Sequence, residues 1–144
     1  MSSAVKQATL SMGAVVIRHN TVLLIKRKEA PKRGVWSIPV YPQQMGQTLQ
    51  QTLEAEIART TGMLVKGGRP LYSQELIEHD TEGQLSRHQI TLFLAGHYLS
   101  GNPVAGGEAE DVAWVSVEAM EFMEIDEEAL LLLEALAFLE LEDE

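Results

Sequence analysis

Apolar residues form two neighbouring runs near the start of the chain, separated by a short polar interval. Leu10 to Arg18 and Val22 to Lys28 are rich in valine, isoleucine and leucine, and His19-Asn20-Thr21 lies between them. Two β-type runs joined by so few turn-forming residues are typical of a β-hairpin. We therefore predict two antiparallel strands with their turn at Asn20.

The clearest helical pattern follows after a stretch broken by glycine and proline. Thr48 and Gln51 have the spacing of a capping box, which starts a helix. Gly62 stands where a left-handed C-cap residue belongs. The apolar positions between these signals recur every four residues: Leu49, Leu53 and Ile57. The pattern predicts a helix from Thr48 to Thr61 that buries this stripe.

Three more strands are predicted in the second half of the chain. Leu71 to His79 and His88 to Leu99 form a pair around a polar turn, and Val112 to Val117 forms a short strand. Ser116 is placed to cap a following helical turn that reaches Met123.

A last helix is predicted to begin at the acidic run Asp126-Glu127-Glu128, where the helix dipole favours negative charge. It is apolar nearly all round, so its surface packs either against the sheet or in a dimer contact. Its apolar residues are Leu130, Leu131, Leu132, Leu133, Leu136, Phe138 and Leu139. Together the elements predict one α/β (α+β) domain over residues 1–144.

Composition excludes several classes of protein. The 144 residues are 45% hydrophobic and contain no cysteine, which excludes disulfide frameworks, cysteine–zinc sites and thiol nucleophiles. The start of the chain does not resemble a signal peptide. The longest apolar stretch, Ala129 to Leu133, is far shorter than the ~20 residues that span a bilayer. We expect a cytoplasmic protein without a membrane segment.

Charge is unevenly distributed along the chain, whose net charge is −10. Residues 1–87 hold 11 basic and 7 acidic side chains, whereas residues 88–144 hold 14 acidic side chains and no basic one. Such an acidic half argues against nucleic acid as a partner. A basic cluster could still meet a small phosphorylated ligand; its members are Lys26, Arg27, Lys28, Lys32 and Arg33.

The order of these features resembles the Nudix hydrolase superfamily over most of the chain. The run from Val22 to Arg27, followed by Gly34-Val35-Trp36-Ser37-Ile38-Pro39, is similar to the sequence that precedes the family's signature box. Asp111-Val112-Ala113-Trp114-Val115 resembles a late strand of the family. Length and flanking segments are most similar to ADP-ribose pyrophosphatase-like members. The resemblance implies an α/β/α sandwich with a mixed β-sheet between helices.

The family's 23-residue box, anchored on Gly62, would run from Tyr41 to Met63. Glu56, Ile57, Gly62 and Met63 match it. The charged positions depart from it, so that the opening glycine, the first glutamate, the arginine and the closing pair of glutamates are replaced. The residues standing there are Tyr41, Gln47, Ala55, Arg59 and Thr60. The resemblance thus implies the fold with a degenerate box.

The resemblance also implies the chemistry that these positions serve. Family members hydrolyse nucleoside diphosphate derivatives with Mg²⁺ or Mn²⁺, which neutralise the diphosphate and activate water. Hard cations need several carboxylate oxygens. Glu56 and Arg59 are neighbours on one helix face, so a guanidinium would lie where the metal is expected. We therefore predict an absent or weakened metal site.

The candidate site residues follow from both arguments. Glu56 is either a surviving metal ligand and catalytic residue or the partner of Arg59 in an ion pair. Arg59, Arg27 and Trp36 are candidates for binding the ligand, because guanidinium groups suit phosphate and an indole can stack on a base. Tyr41 could also stack on a base or belong to the core. An acidic loop could supply replacement ligands from Glu108, Glu110 and Asp111.

Three functions remain open at this point. One is a Nudix-fold protein with weak or absent hydrolysis that binds a nucleotide-like ligand. Another is an active hydrolase that uses Mg²⁺ or Mn²⁺ through relocated acidic ligands. The third is a non-catalytic module that forms a homodimer through its last helix. We favour the first, because one carboxylate does not make a diphosphate-hydrolysing metal cluster.

Overall fold

The predicted hairpin is present in the computed structural model, which describes residues 7–30 and 32–138. Strand β1 (Thr9–Arg18) pairs antiparallel with β2 (Thr21–Arg27), and Arg18 lies opposite Thr21. His19 and Asn20 both have positive φ angles, 52° and 60°, which is the conformation of a type I′ turn. The turn matches the twist of the strands and fixes their register.

The hairpin connects two groups of strands in one seven-stranded mixed sheet. The other strands are β3 (Trp36–Ser37), β4 (Val40–Pro42), β5 (Leu64–His79), β6 (Leu85–Ser100) and β7 (Ala109–Val115). Strand β1 pairs parallel with β6 and antiparallel with β4, while β2 pairs antiparallel with β3 and β7. The order along the sheet is therefore β3-β2-β1-β6-β5.

Helix α1 (Leu49–Thr61) confirms the helix predicted from the local signals. The Thr48 hydroxyl accepts a hydrogen bond from the Gln51 amide at 3.0 Å, and the Gln51 side chain accepts one from the Thr48 amide at 2.9 Å. Gly62 closes the helix with φ of 73°. Leu53 and Ile57 are fully buried, whereas Leu49 at the first turn is partly exposed.

Three strands differ in length from the prediction. Strand β5 begins at Leu64 rather than at Leu71, because the segment around Gly67 and Pro70 pairs with β6 through register shifts instead of breaking the strand. Strand β6 begins at Leu85, and β7 runs from Ala109 to Val115. Pairing with a neighbouring strand, which no local pattern encodes, decides these ends.

The two faces of the sheet carry two apolar clusters. Alternate residues of β1 and β2, such as Met12 and Leu23, join Leu53 and Ile57 of α1 in the first cluster. The intervening residues, such as Val15, face the second cluster on the opposite side. Helices therefore cover both faces of a mixed sheet, as predicted.

Two helices end the described chain, α2 (Val117–Met120) and α3 (Glu127–Ala135), with Ser116 and Asp126 as their N-caps. The apolar surface of α3 is mostly core, since its residues Ala129, Leu132 and Leu133, with Phe138 just beyond, are buried in the second cluster. Leu131 remains 58% exposed. The predicted core residue Leu139 lies outside the described residues. Within them, each helix is too short or too polar to cross a membrane.

Candidate functional site: an arginine held between two carboxylates

Three charged side chains meet at the C-terminal half of α1, and we call them the Arg59 cluster: Glu56, Arg59 and Glu108. Arg59 Nη2 donates to Glu56 Oε2 at 2.5 Å, along the i,i+3 spacing seen in the sequence. Its two terminal nitrogens also reach both oxygens of Glu108, each at 3.0 Å. One guanidinium thus bridges two carboxylates that are 52 positions apart in the chain.

Hydrogen bonding inside the cluster favours the charged forms of Arg59 and Glu108. The bonds from Arg59 lower the pKa of the Glu108 carboxyl, and the charge of Arg27 lowers it further, while partial burial acts in the opposite direction. The bonds to Glu56 and Glu108 raise the pKa of Arg59. With both carboxylates ionised, the cluster carries a net charge of −1.

A glycine-rich loop, residues 101–108, brings Glu108 to the helix. Its Val104 amide donates to the Thr61 carbonyl at 2.8 Å, and its Gly106 amide donates to the Thr60 carbonyl at 3.0 Å. These bonds satisfy carbonyls that the end of a helix leaves without partners. A Cβ on Gly107, whose φ is 54°, would overlap Arg59 Nη1. The loop is therefore shaped to receive the guanidinium.

Tyr41 and Thr60, two residues at positions where the box pattern is not matched, are joined by a buried hydrogen bond beside the cluster. The Thr60 hydroxyl donates to the Glu56 carbonyl at 2.8 Å, so its oxygen accepts from the Tyr41 hydroxyl at 2.6 Å. Burial raises the pKa of Tyr41, which is only 1% exposed. Of the two alternatives for Tyr41, the structure supports a core position, where the ring is out of reach of a ligand.

The basic residues at the end of β2 and shortly after it have different surroundings. Lys26 pairs with Glu110 at 3.4 Å, and Lys32 pairs with Asp126. Arg27 has no salt bridge among the described residues, and its Nε atom is buried without a hydrogen-bond partner. Such a donor is costly to bury unless something binds it.

Arg27 lines a cleft of about 680 Å³, a size typical of sites for small molecules. The side chains lining the cleft include aromatic and uncharged polar ones, namely Tyr72, Phe93, Gln74, Gln89, Thr91 and Ser37. Several charges at its rim are already paired, Lys32 with Asp126 and Arg87 with Glu78 at 3.7 Å. Arg27 thus lines the cleft, and its charge is also one of the causes that lower the pKa of Glu108.

The other candidates lie apart from the cluster. Trp36 packs against the second apolar cluster, and its amide donates to the Glu124 carbonyl at 2.9 Å. Glu110 and Asp111 belong to β7, where Asp111 accepts a bond from the Val112 amide at 2.8 Å. Of the three acidic residues predicted to form a loop, Glu108 is the one that contacts Arg59. The parts assigned to Trp36, Arg27 and Arg59 in ligand binding stay predictions.

Two features of the site escaped the sequence patterns. The bond from Tyr41 to Thr60 and the bridge from Arg59 to Glu108 each join distant segments, and periodicity reports on near neighbours. The pair Gly106-Gly107 was the available signal, since adjacent glycines indicate a close backbone approach. In the described ranges, 7–30 and 32–138, no group of three or more histidine, aspartate or glutamate side chains is placed to hold a metal ion.

Comparison with known proteins gives the same picture of the fold. A family model, the NUDIX domain, matches residues 8–136. The ADP-ribose pyrophosphatase of Methanocaldococcus jannaschii is 23% identical over 122 residues, which are 85% of this chain and 70% of that protein.

Two solved structures share this fold. The MutT NUDIX hydrolase of Burkholderia pseudomallei superimposes with a TM-score of 0.75 at 23% identity, covering 90% of this chain and 98% of the other. The NUDIX domain of Shewanella oneidensis NrtR, complexed with ADP ribose, gives a TM-score of 0.69 at 20% identity, covering 90% and 86%. At these identities the likeness concerns the fold.

Proposed function

The chain belongs to the NUDIX family, and from that premise we propose that it binds a nucleotide-like, phosphorylated ligand in the cleft and hydrolyses it weakly or not at all. The family includes ADP-ribose pyrophosphatases, which this chain resembles. One observation carries the proposal: the guanidinium of Arg59 lies between the two carboxylates that converge at the end of α1.

A divalent cation does not fit this arrangement. NUDIX hydrolases generally use Mg²⁺ or Mn²⁺, and such ions need several free carboxylate oxygens. Glu56 and Glu108 already give hydrogen-bonded oxygens to Arg59, at 2.5 and 3.0 Å. A metal between them would stand beside a fixed positive charge, which costs a few kcal/mol at 4–6 Å even at an effective dielectric of about 20. This cost supports weak or absent metal-dependent hydrolysis.

Arg27 is better suited to a phosphate than Arg59 is. The guanidinium of Arg59 already donates to two carboxylates, so fewer of its donors are available to a phosphate. Arg27 lines the cleft, and its Nε has no hydrogen-bond partner among the residues that the structure describes. A guanidinium binds phosphate through two parallel hydrogen bonds. We propose Arg27 as the phosphate-binding residue.

Part of the cleft suits the uncharged portion of a nucleotide, while the carboxylates of Glu75 and Glu128 also line it. Tyr72 and Phe93 offer aromatic surface, and Gln74, Gln89 and Thr91 offer hydrogen bonds that do not depend on charge. The relatives' ligands support the same chemistry, since one neighbour of this fold was solved with ADP ribose. We therefore propose ADP-ribose as the first probe.

Calorimetric titration with ADP-ribose, in buffer with EDTA and in buffer with Mg²⁺, tests the binding part. We expect similar affinity in both buffers, and a loss of about tenfold or more in Arg27→Gln, because a charge-assisted hydrogen bond is removed. Arg69→Gln is the matched control, since it removes the same charge from exposed β5. Absence of binding at millimolar ADP-ribose, or equal affinity in Arg27→Gln, would overturn the proposal.

An active hydrolase is the second candidate, and one observation favours it. Glu108 reaches the same guanidinium as Glu56, so the two carboxylates would face each other if Arg59 moved aside. Turnover of ADP-ribose with Mg²⁺ or Mn²⁺, measured beside Glu56→Gln and Glu108→Gln, separates the candidates. Metal-dependent turnover by the wild type that both variants abolish would establish the hydrolase. A wild-type rate no higher than that of the variants would support a binding protein.

A further inference from the structure

Glu108 is bonded to one arginine, Arg59, and its backbone lies beside a second, Arg27, which has no salt bridge among the described residues. Both carboxylate oxygens are bonded to Arg59, at 3.0 Å. The backbone of Glu108 and of the next residue is fixed to β2, because the Lys28 amide donates to the Glu108 carbonyl at 3.1 Å and Ala109 lies opposite Arg27 in the sheet. The carboxylate therefore starts from a backbone position beside Arg27.

In the structure the Glu108 side chain is directed at Arg59, and both of its oxygens are bonded there. Directed at Arg59, as in the structure, it leaves Arg27 without a salt bridge among the described residues, with its Nε unpartnered beside the cleft. Directed at Arg27, it would neutralise the guanidinium and fill its donors. A carboxylate and a ligand phosphate compete for the same donors of an arginine.

We infer that Arg59 is a positioning residue, which draws the Glu108 carboxylate away from Arg27 and so keeps Arg27 free for the phosphate of a ligand. This inference rests on the proposed function, because it needs a ligand that Arg27 binds. It gives Arg59 a role at the place where the family resemblance led us to expect a metal ion.

The contacts around Arg59 hold its side chain in one place, as a positioning residue requires. Glu56 anchors the guanidinium from its own helix at 2.5 Å, and Gly107 leaves the space that its Nη1 fills. Backbone bonds from Val104 and Gly106 hold the loop on the end of α1 independently of side-chain charge. Removing the Arg59 charge should therefore redirect one carboxylate without releasing the loop.

A double-mutant cycle on ADP-ribose affinity in EDTA tests the inference. Arg59→Gln should weaken binding about fivefold, because the freed Glu108 pairs with Arg27 in an exposed ion pair. Glu108→Gln should bind as well as the wild type or better. The double variant Arg59→Gln/Glu108→Gln should recover the wild-type affinity, and Arg69→Gln again controls for net charge. Thermal unfolding of each variant confirms that it is folded.

The outcomes separate the inference from the proposed function. If Arg59 acted only by attaching the loop, Glu108→Gln would weaken binding as well and the double variant would not recover, and the inference would be wrong. Unchanged affinity in Arg59→Gln, with binding that still depends on Arg27, would also overturn it. Failure of the wild type to bind, or binding independent of Arg27, would instead remove the proposed function beneath it.

Discussion

At the scale of single residues, the buried hydrogen bond between Tyr41 and Thr60 shows how this site is held together. Tyr41 comes from β4 and Thr60 from the last turn of α1, so the bond ties the chain before the helix to the helix end. The Thr60 hydroxyl in turn donates a hydrogen bond to the Glu56 carbonyl. Uncharged groups thus fill the interior beneath the Arg59 cluster.

Tyr41 predicts a dependence of stability on alkaline pH. Its pKa in the folded protein lies above the ordinary 10.0, because burial disfavours the phenolate. Between these values the folded state keeps a proton that the unfolded state releases, so the free energy of unfolding should fall as pH rises above about 10. Tyr41→Phe should cost about 1 kcal/mol at pH 7 through the lost hydrogen bond.

Urea unfolding at a series of pH values from 7 to about 11 measures both effects. The wild-type and Tyr41→Phe stabilities should converge as pH rises, because phenylalanine does not ionise. Tyr72→Phe is the control, since Tyr72 is 40% exposed. Parallel curves for wild type and Tyr41→Phe would contradict a raised pKa.

At the scale of elements, helix α1 and strand β5 show which parts of the fold the sequence can predict. The bounds of α1 follow from Thr48, Gln51 and Gly62, because capping acts between residues a few positions apart. The start of β5 depends on its pairing with β6, in which glycine at position 67 leaves room for the backbone of Gln50. Contacts between distant segments are absent from local patterns.

The same distinction applies to the site. The bond from Glu56 to Arg59 follows from their spacing on one helix, and its prediction needed no tertiary structure. The second bridge of Arg59 depends on how loop 101–108 returns to the helix end, a contact across 49 positions. Sequence therefore predicted half of the Arg59 cluster, and the fold supplied the other half.

Helix α3 supplies a test of core packing against a dimer contact. Leu132 is fully buried in the second cluster, while its neighbour Leu131 is 58% exposed. Leu132→Ala should lower the free energy of unfolding by about 2–5 kcal/mol, and Leu131→Ala by no more than about 0.5 kcal/mol. Urea unfolding at two protein concentrations measures both. A loss in Leu131→Ala that is larger at the high protein concentration and shrinks on dilution would favour a dimer through this helix.

At the scale of the whole molecule, the fold reunites charges that the sequence keeps apart. Within the part of the chain that the structure describes, three ion pairs join a basic residue of the first 87 positions to an acidic residue of the last 57, namely Lys26–Glu110, Lys32–Asp126 and Arg59–Glu108. These pairs neutralise a few of the 14 carboxylates in the second half. The excess negative charge therefore remains, and repulsion among like charges works against the compact state.

This repulsion predicts that exchanging an acidic residue of α3 for lysine stabilises the protein at low salt. Glu134→Lys changes the net charge from −10 to about −8 and places a cation in the last turn of α3, where the helix dipole favours it. Together these effects should raise the free energy of unfolding by about 0.3–1 kcal/mol. Glu127→Lys makes the same change of net charge in the first turn, where the dipole opposes it, so its gain should be smaller or negative.

Thermal and urea unfolding in ~20 mM and ~500 mM NaCl measure both variants, since salt screens the repulsion and the dipole alike. An advantage of Glu134→Lys that persists unchanged in high salt would contradict an electrostatic origin, and equal effects of the two variants would assign it to net charge alone.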